Sequence, residues 1–122
     1  MDGNPLYSGA LWSYAYYPMR MIVAALEEEL DAGLELCVNR RKIHIPGISL
    51  WQAERGKKTI CFLKTGVGPK RSAESLDKAL KATRPSHILV IGYAGALDAD
   101  LKLGDLVAVR KAMAVSLDEK RS

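Results

Sequence analysis

Cysteine is scarce in this chain, with two residues in 122, and phenylalanine occurs once. Cys37 and Cys61 stand in no CxxC or metal-ligand spacing, and their apolar neighbours favour buried thiols. That excludes a disulfide framework or a cysteine-based zinc site and points to a reducing, cytoplasmic setting. Long hydrophobic runs are also missing. The longest apolar and aromatic stretch, "LYSGALWSYAYY" at residues 6–17, is too short to span a bilayer and follows Asp2, not a basic segment. Neither a signal peptide nor a transmembrane helix is expected, and no membrane partner. Charge of one sign is not concentrated: the net charge of +4 comes from Lys and Arg scattered in twos and threes among acids. No basic stripe interleaved with aromatics and no zinc-finger spacing is present, so nucleic acid is not an expected partner.

What is present is one small domain, at 48% hydrophobic residues. Residues 19–25 form a short, continuously apolar run suited to a strand buried on both faces. After it, Leu26, Leu30, Leu34 and Cys37 recur at three and four residues, predicting a helix that ends near Asn39. "KIHIPGISLWQAE" alternates around Pro46-Gly47, predicting an antiparallel hairpin with a type II turn. "KKTICFLKTG" predicts a further strand. Pro69 then opens a helix with Ala73, Leu76 and Leu80 inward, stopping before Pro85. "SHILVIG" is continuously apolar and predicts a central strand, and "GDLVAV" one more. Strands and helices in this order predict an α/β layered sheet.

Three loops follow strands expected to be parallel: residues 24–29, 65–68 and 92–95. In open α/β sheets ligands bind at such carboxyl ends. "TGVGPKRS" is glycine-rich before a helix, yet it lacks the Gly-Lys-Ser/Thr of a nucleotide-binding loop, and Arg71 stands where a dinucleotide fingerprint needs a small residue. Its simpler reading is a tight strand-to-helix turn. His44 and His87 have no partner at a telling spacing and read as structural; no GxSxG elbow exists. "AALEEEL" offers three carboxylates. At about 100° per residue, Glu28 and Glu35 fall opposite the apolar stripe, while Glu27 and Glu29 flank it on opposite sides. Acids in a first helical turn are also favoured by the helix dipole, so periodicity sets Glu28 aside and does not choose between the other two.

Three stretches together resemble the nucleoside phosphorylase and nucleosidase superfamily, and within it the 5′-methylthioadenosine/S-adenosylhomocysteine nucleosidases. "MIVAALEEEL" resembles their first strand and helix, and "LKTGVGPKRSAES" their Lys-Ser-Gly-Ile-Gly-Lys segment. "ILVIGYAGALDADLKLGDLVAV" resembles their stretch from Asn-Thr-Gly-Ser-Ala-Gly-Gly-Leu through Leu-Lys-Val-Gly-Asp-Ile-Val. The resemblance implies the N-terminal half of the phosphorylase/hydrolase-like three-layer fold, a mixed sheet flanked by helices. It divides the chain into an extension, residues 1–18, and a partial domain, residues 19–122. It also implies a water-activating role for Glu29, with Ala25 and Leu26 lining the ribose. Val67 would lie near the 5′ substituent, and Ala94 and Gly95 would line the nucleoside pocket. Tyr93 stands where many of these enzymes have serine, and Ala24 replaces the usual glycine ending the first strand.

The implied activity is hydrolysis of the N-glycosidic bond of a purine or related nucleoside, by a homodimer, with no metal or organic cofactor. Phosphorolysis is the less favoured alternative, because "ALEEEL" and "LVIGYAG" carry no arginine where phosphorylases hold phosphate. Methylthioadenosine, adenosylhomocysteine, futalosine-like and hopanoid-linked nucleosides all fit chains of this kind, and Tyr93 leans away from the first. The family fold is expected at about 200 to 250 residues. Its second half supplies the Met-Glu pair that grips the ribose hydroxyls and the Ser-Asp pair that protonates the purine, so 122 residues alone are expected to hydrolyse very weakly at most. A non-catalytic, self-associating or nucleoside-binding remnant is the competing expectation, with an unrelated dinucleotide-binding module last.

Overall fold

The computed structural model describes residues 19–113 and 115. The extension expected at residues 1–18 lies outside the described residues. The elements run β1 (Arg20–Ala24), α1 (Glu27–Glu35), β2 (Val38–Ile43), β3 (Ser49–Arg55), β4 (Lys58–Lys64), α2 (Pro69–Ala82) and β5 (His87–Val90). They form one five-stranded sheet in the order β2-β3-β4-β1-β5. β1 pairs in parallel with both β4 and β5, whereas β2, β3 and β4 are antiparallel neighbours. The architecture is the expected mixed α/β sheet with helices.

Alternation along the strands divides the core between the two faces of the sheet. Met21 and Val23 of β1, Leu50 of β3, and Cys61 and Leu63 of β4 pack with Ala79 of α2. Ala24, Ala53 and Phe62 point the other way and pack with Leu30 of α1 and with Cys37. Gly33 brings α1 close to Phe62: a Cβ added there would lie 3.0 Å from the ring. Each helix therefore covers one face, which makes the sheet a middle layer.

The hairpin forms as expected. Gly47 adopts φ 85°, and Ile48 N–H donates to the Ile45 carbonyl at 3.3 Å, the geometry of a type II turn over Pro46-Gly47. Pro69 occupies the start of α2, which stops at Ala82 with Thr83 capping it, ahead of Pro85.

Four expectations need correction. α1 ends at Glu35, not near Asn39, because the bonds from Leu36 N–H to Gly33 and from Cys37 N–H to Leu34 tighten the last turn. Cys37 is buried as the chain enters β2, and Asn39 sits at φ 54° where the β2–β3 register shifts. The inner face of α2 is rotated from the expected one: Ala79 and Ala82 are buried and Leu76 is partly so, while Ala73 and Leu80 are exposed. Its serines Ser72 and Ser75 turn inward to bond Thr65, a polar pairing that an apolar stripe does not reveal. "SHILVIG" forms the edge strand β5, exposed throughout, not a central one. "GDLVAV" forms no strand, since residues 104–109 have no neighbouring strand to complete a ladder among the described residues.

Candidate active site

Because β4, β1 and β5 are parallel, their carboxyl ends lie at one edge of the sheet and the three glycine- or acid-bearing loops follow there. Backbone hydrogen bonds stitch these loops together. Thr65 N–H donates to the Ala24 carbonyl at 2.9 Å and Gly66 N–H to the Ala25 carbonyl at 3.0 Å, while Ile91 N–H donates to the Val23 carbonyl at 2.9 Å. The loop after β4 is braced from α2. Ser75 Oγ donates to the Thr65 carbonyl at 3.1 Å, and Ser72 Oγ to Thr65 Oγ1 at 3.4 Å. Gly66 and Gly68 stand at φ 80° and 102°, conformations that side chains with a Cβ rarely adopt, so this turn requires glycine at both positions.

Glu29 stands at the meeting point of the other two loops. It lies in the first turn of α1, half-buried, whereas Glu27 and Glu28 are exposed. Its Oε1 accepts from Leu26 N–H at 3.0 Å, and the Glu29 N–H returns a bond to the Leu26 carbonyl at 3.2 Å, tying the helix start. Its Oε2 accepts from Tyr93 N–H at 3.0 Å, across 64 residues of sequence. Gly92 makes room for that approach, since a Cβ there would lie 3.2 Å from Oε2. Both carboxylate oxygens are thus held by backbone donors, which fixes the plane of the group and leaves each a further lone pair for water.

Of the expected site residues, Ala25, Leu26, Glu29 and Tyr93 are brought together by these bonds. Val67, Ala94 and Gly95 are exposed on the loops at the same sheet edge, and no hydrogen bond links them to Glu29 among the described residues. Tyr93 serves through its backbone N–H, so tyrosine in place of serine leaves this bond intact; its side chain is 78% exposed. Sequence reasoning missed the Tyr93 backbone partner and the Thr65-Ser72-Ser75 brace. Nothing in the local pattern marks a main-chain donor 64 residues away, although serines at positions 72 and 75 on the face towards the sheet were a readable signal for the brace. Among the described residues, no group of three or more His, Cys, Asp or Glu side chains could hold a metal ion, and no helix is long and apolar enough to cross a membrane.

The sequence that carries these loops falls within a match to a known family. Residues 20–121 match the model of the phosphorylase superfamily, and the chain belongs to it. Among its relatives is a 5′-methylthioadenosine/S-adenosylhomocysteine nucleosidase of Glaesserella parasuis serovar 5 (strain SH0165), 28% identical over 86 residues, which are 70% of this chain and 37% of that protein. The S-adenosylhomocysteine nucleosidase of Streptococcus pyogenes, solved in complex with 5-methylthiotubericidin, superposes with a TM-score of 0.65 at 26% identity, over 80% of this chain and 39% of that one. A futalosine hydrolase mutant of Helicobacter pylori strain 26695 superposes with a TM-score of 0.62 at 26% identity, over 72% and 40% of the two chains. The chain therefore spans about two fifths of the length of the relatives it matches.

Proposed function

We propose that this chain is the N-terminal part of a nucleosidase that hydrolyses the N-glycosidic bond of a purine or related nucleoside, with Glu29 as the group that activates water. The observation that carries this reading is the clamp on Glu29, whose two oxygens are held by Leu26 N–H and Tyr93 N–H where the loops after β1 and β5 meet. A general base needs a fixed orientation and a lone pair free to accept from water; the two backbone bonds supply the first and leave each oxygen of Glu29 a lone pair for the second. Water attacks the anomeric carbon as the bond to the base nitrogen breaks, and the departing base takes up a proton. Ala25 and Leu26 would line the ribose, Val67 the 5′ substituent, and Tyr93, Ala94 and Gly95 the nucleoside pocket. Two enzymes that act on nucleosides or related compounds among the structural neighbours support the class of substrate. The absence of arginine in "ALEEEL" and "LVIGYAG" favours water over phosphate as the nucleophile.

In this reading residues 1–18 are an extension ahead of a partial domain at residues 19–122, and the protein works as a cytoplasmic homodimer. The proton donor to the base belongs to the second half of the family fold, so the 122-residue chain alone turns over very slowly at most. The test is Glu29→Gln in the protein carrying both halves. Release of base should fall by about a thousandfold or more with the thermal melt unchanged, because a lost general base and its bound water remove a large part of the barrier reduction. Undiminished release of base by that variant overturns the role of Glu29.

A second reading is favoured by a different observation: Ile88, Leu89 and Val90 of β5 expose an apolar edge. Such an edge suits a self-associating or nucleoside-binding remnant without catalysis. Robust nucleoside cleavage by the 122-residue chain would contradict both this reading and the assignment of the proton donor to the second half.

A further inference from the structure

A cleft of about 390 Å3 opens on the α2 side of the sheet, between the β2–β3 turn, the end of β4 and the first three turns of α2. Its rim carries Gly47 on the turn, Lys64 and Gly66 at the end of β4, and Arg71, Glu74 and Lys78 on α2. Arg71, Glu74 and Lys78 follow one another at three and four residues and so share one face of the helix. Three cations and one carboxylate leave the rim positive by two charges. None of the three cations is ion-paired among the described residues.

Two glycines make room for two of these cations at the rim. A Cβ at Gly47 would lie 2.5 Å from Lys78 Nζ, so the ammonium rests directly over the turn. A Cβ at Gly66 would lie 3.2 Å from Arg71 Cδ, so the arginine stem lies along the glycine loop. Like charges gathered around one concave, polar-walled space repel one another, and a bound dianion relieves that repulsion. The Ser49 hydroxyl stands in the same wall and can donate to an acceptor oxygen, whereas Ser75 Oγ is committed to the Thr65 carbonyl.

We propose that this cleft binds a phosphoryl-bearing anion, separately from the nucleoside loops at Glu29. Arg71 supplies a planar guanidinium that can meet two oxygens of one phosphoryl group, and Lys64 and Lys78 supply point charges from either side. Gly66 belongs to both the cleft and the loop after β4, so an occupied cleft bears on the loop that carries Val67. The proposal does not depend on the reaction assigned to Glu29.

Calorimetric titration of inorganic pyrophosphate into the intact protein at constant ionic strength tests it. Saturable binding is expected, weakened about tenfold or more by Arg71→Ala and about fivefold by Lys78→Gln, since one unit charge at about 4 Å in a water-like dielectric changes affinity by about that factor. Glu74→Gln should tighten binding by a similar factor, an outcome that a loss of folding does not produce. Lys81→Gln, one turn beyond the cleft and paired with Asp77 at 3.0 Å, should leave affinity within about twofold. Citrate, a carboxylate of comparable charge, should bind at least about tenfold more weakly than pyrophosphate. Absence of saturable binding, an equal loss in Lys81→Gln, no gain in Glu74→Gln, or citrate binding as tightly as pyrophosphate would each overturn the assignment.

Discussion

β1 and β5 lie side by side in register, Arg20 opposite His87 and Val23 opposite Val90, and both are apolar runs. Their surroundings are opposite. β1 has a parallel neighbour on each side and a helix over each face, and Met21, Val23 and Ala24 are buried. β5 has one neighbour, and Leu89 and Val90 remain 58% and 73% exposed. Past the partly buried Ile91, the following residues, Leu97, Leu103 and Leu106 among them, are exposed as well. A continuous apolar run thus states that a strand is suited to cover on both faces; it does not say what covers it. In this chain the four strands from β2 to β1 make a packed unit, and β5 with residues 91–113 is attached to it by one ladder, by Ile91, which packs on the α1-face core and bonds Val23, and by Glu29.

The contrast can be broken by substitution. Phe62 lies at the centre of the α1 face and is 1% exposed, so Phe62→Ala should cost about 3–5 kcal/mol, measured by chemical denaturation. Cys61 is buried in the other face, and burial raises its thiol from the usual 9.0 to about 12, with Arg41 opposing that rise weakly. The unfolded thiol ionises first as pH rises, so stability should be intact well below pH 9 and decline above it, by about 3 kcal/mol at pH 11. Cys61→Ala should remove that part of the decline, visible as a difference between the two proteins' melting temperatures across pH 8 to 11.

Two glycines of similar φ sharpen the comparison further. Gly47 and Gly104 stand at φ 85° and 91°. Gly47→Ala should cost about 1–2 kcal/mol, because the turn is locked between paired strands. Gly104→Ala, in a segment without strand partners among the described residues, should change global stability by less than about 0.5 kcal/mol. Leu103→Ser should be equally small, since Leu103 buries nothing. Hydrogen exchange completes the series: the amides of Met21 to Val23 should exchange slowly, and those of residues 106–109 at nearly the rate of an unstructured chain.

Much of the molecule is legible in the sequence. Pro46-Gly47 announced the hairpin because only glycine accepts the second central position of its turn, and Pro69 announced the start of α2 because a helix start needs no N–H there. Helix faces were less legible. Leu26 and Cys37 completed a stripe on paper, yet Leu26 is extended and precedes α1 while Cys37 follows it, so periodicity continued past both ends of the real helix. In α2 the serines that brace Thr65 took inward positions that an apolar count assigned to Ala73 and Leu80.

The site divides in the same way. Local sequence determined three loops rich in glycine and acid, the strands that precede them, and the exposure of Glu28, because turn chemistry and helical spacing act over a few residues. Which carboxylate meets another part of the chain was decided only by tertiary structure. Parallel pairing of β1 with β5 places Tyr93 N–H 3.0 Å from Glu29 Oε2, and no periodicity within either segment encodes a contact across 64 residues. The same holds for the cleft, where Lys64, Arg71 and Lys78 become neighbours of Gly47 only because β3 pairs with β4, Ser49 opposite Lys64, and α2 packs beside the turn.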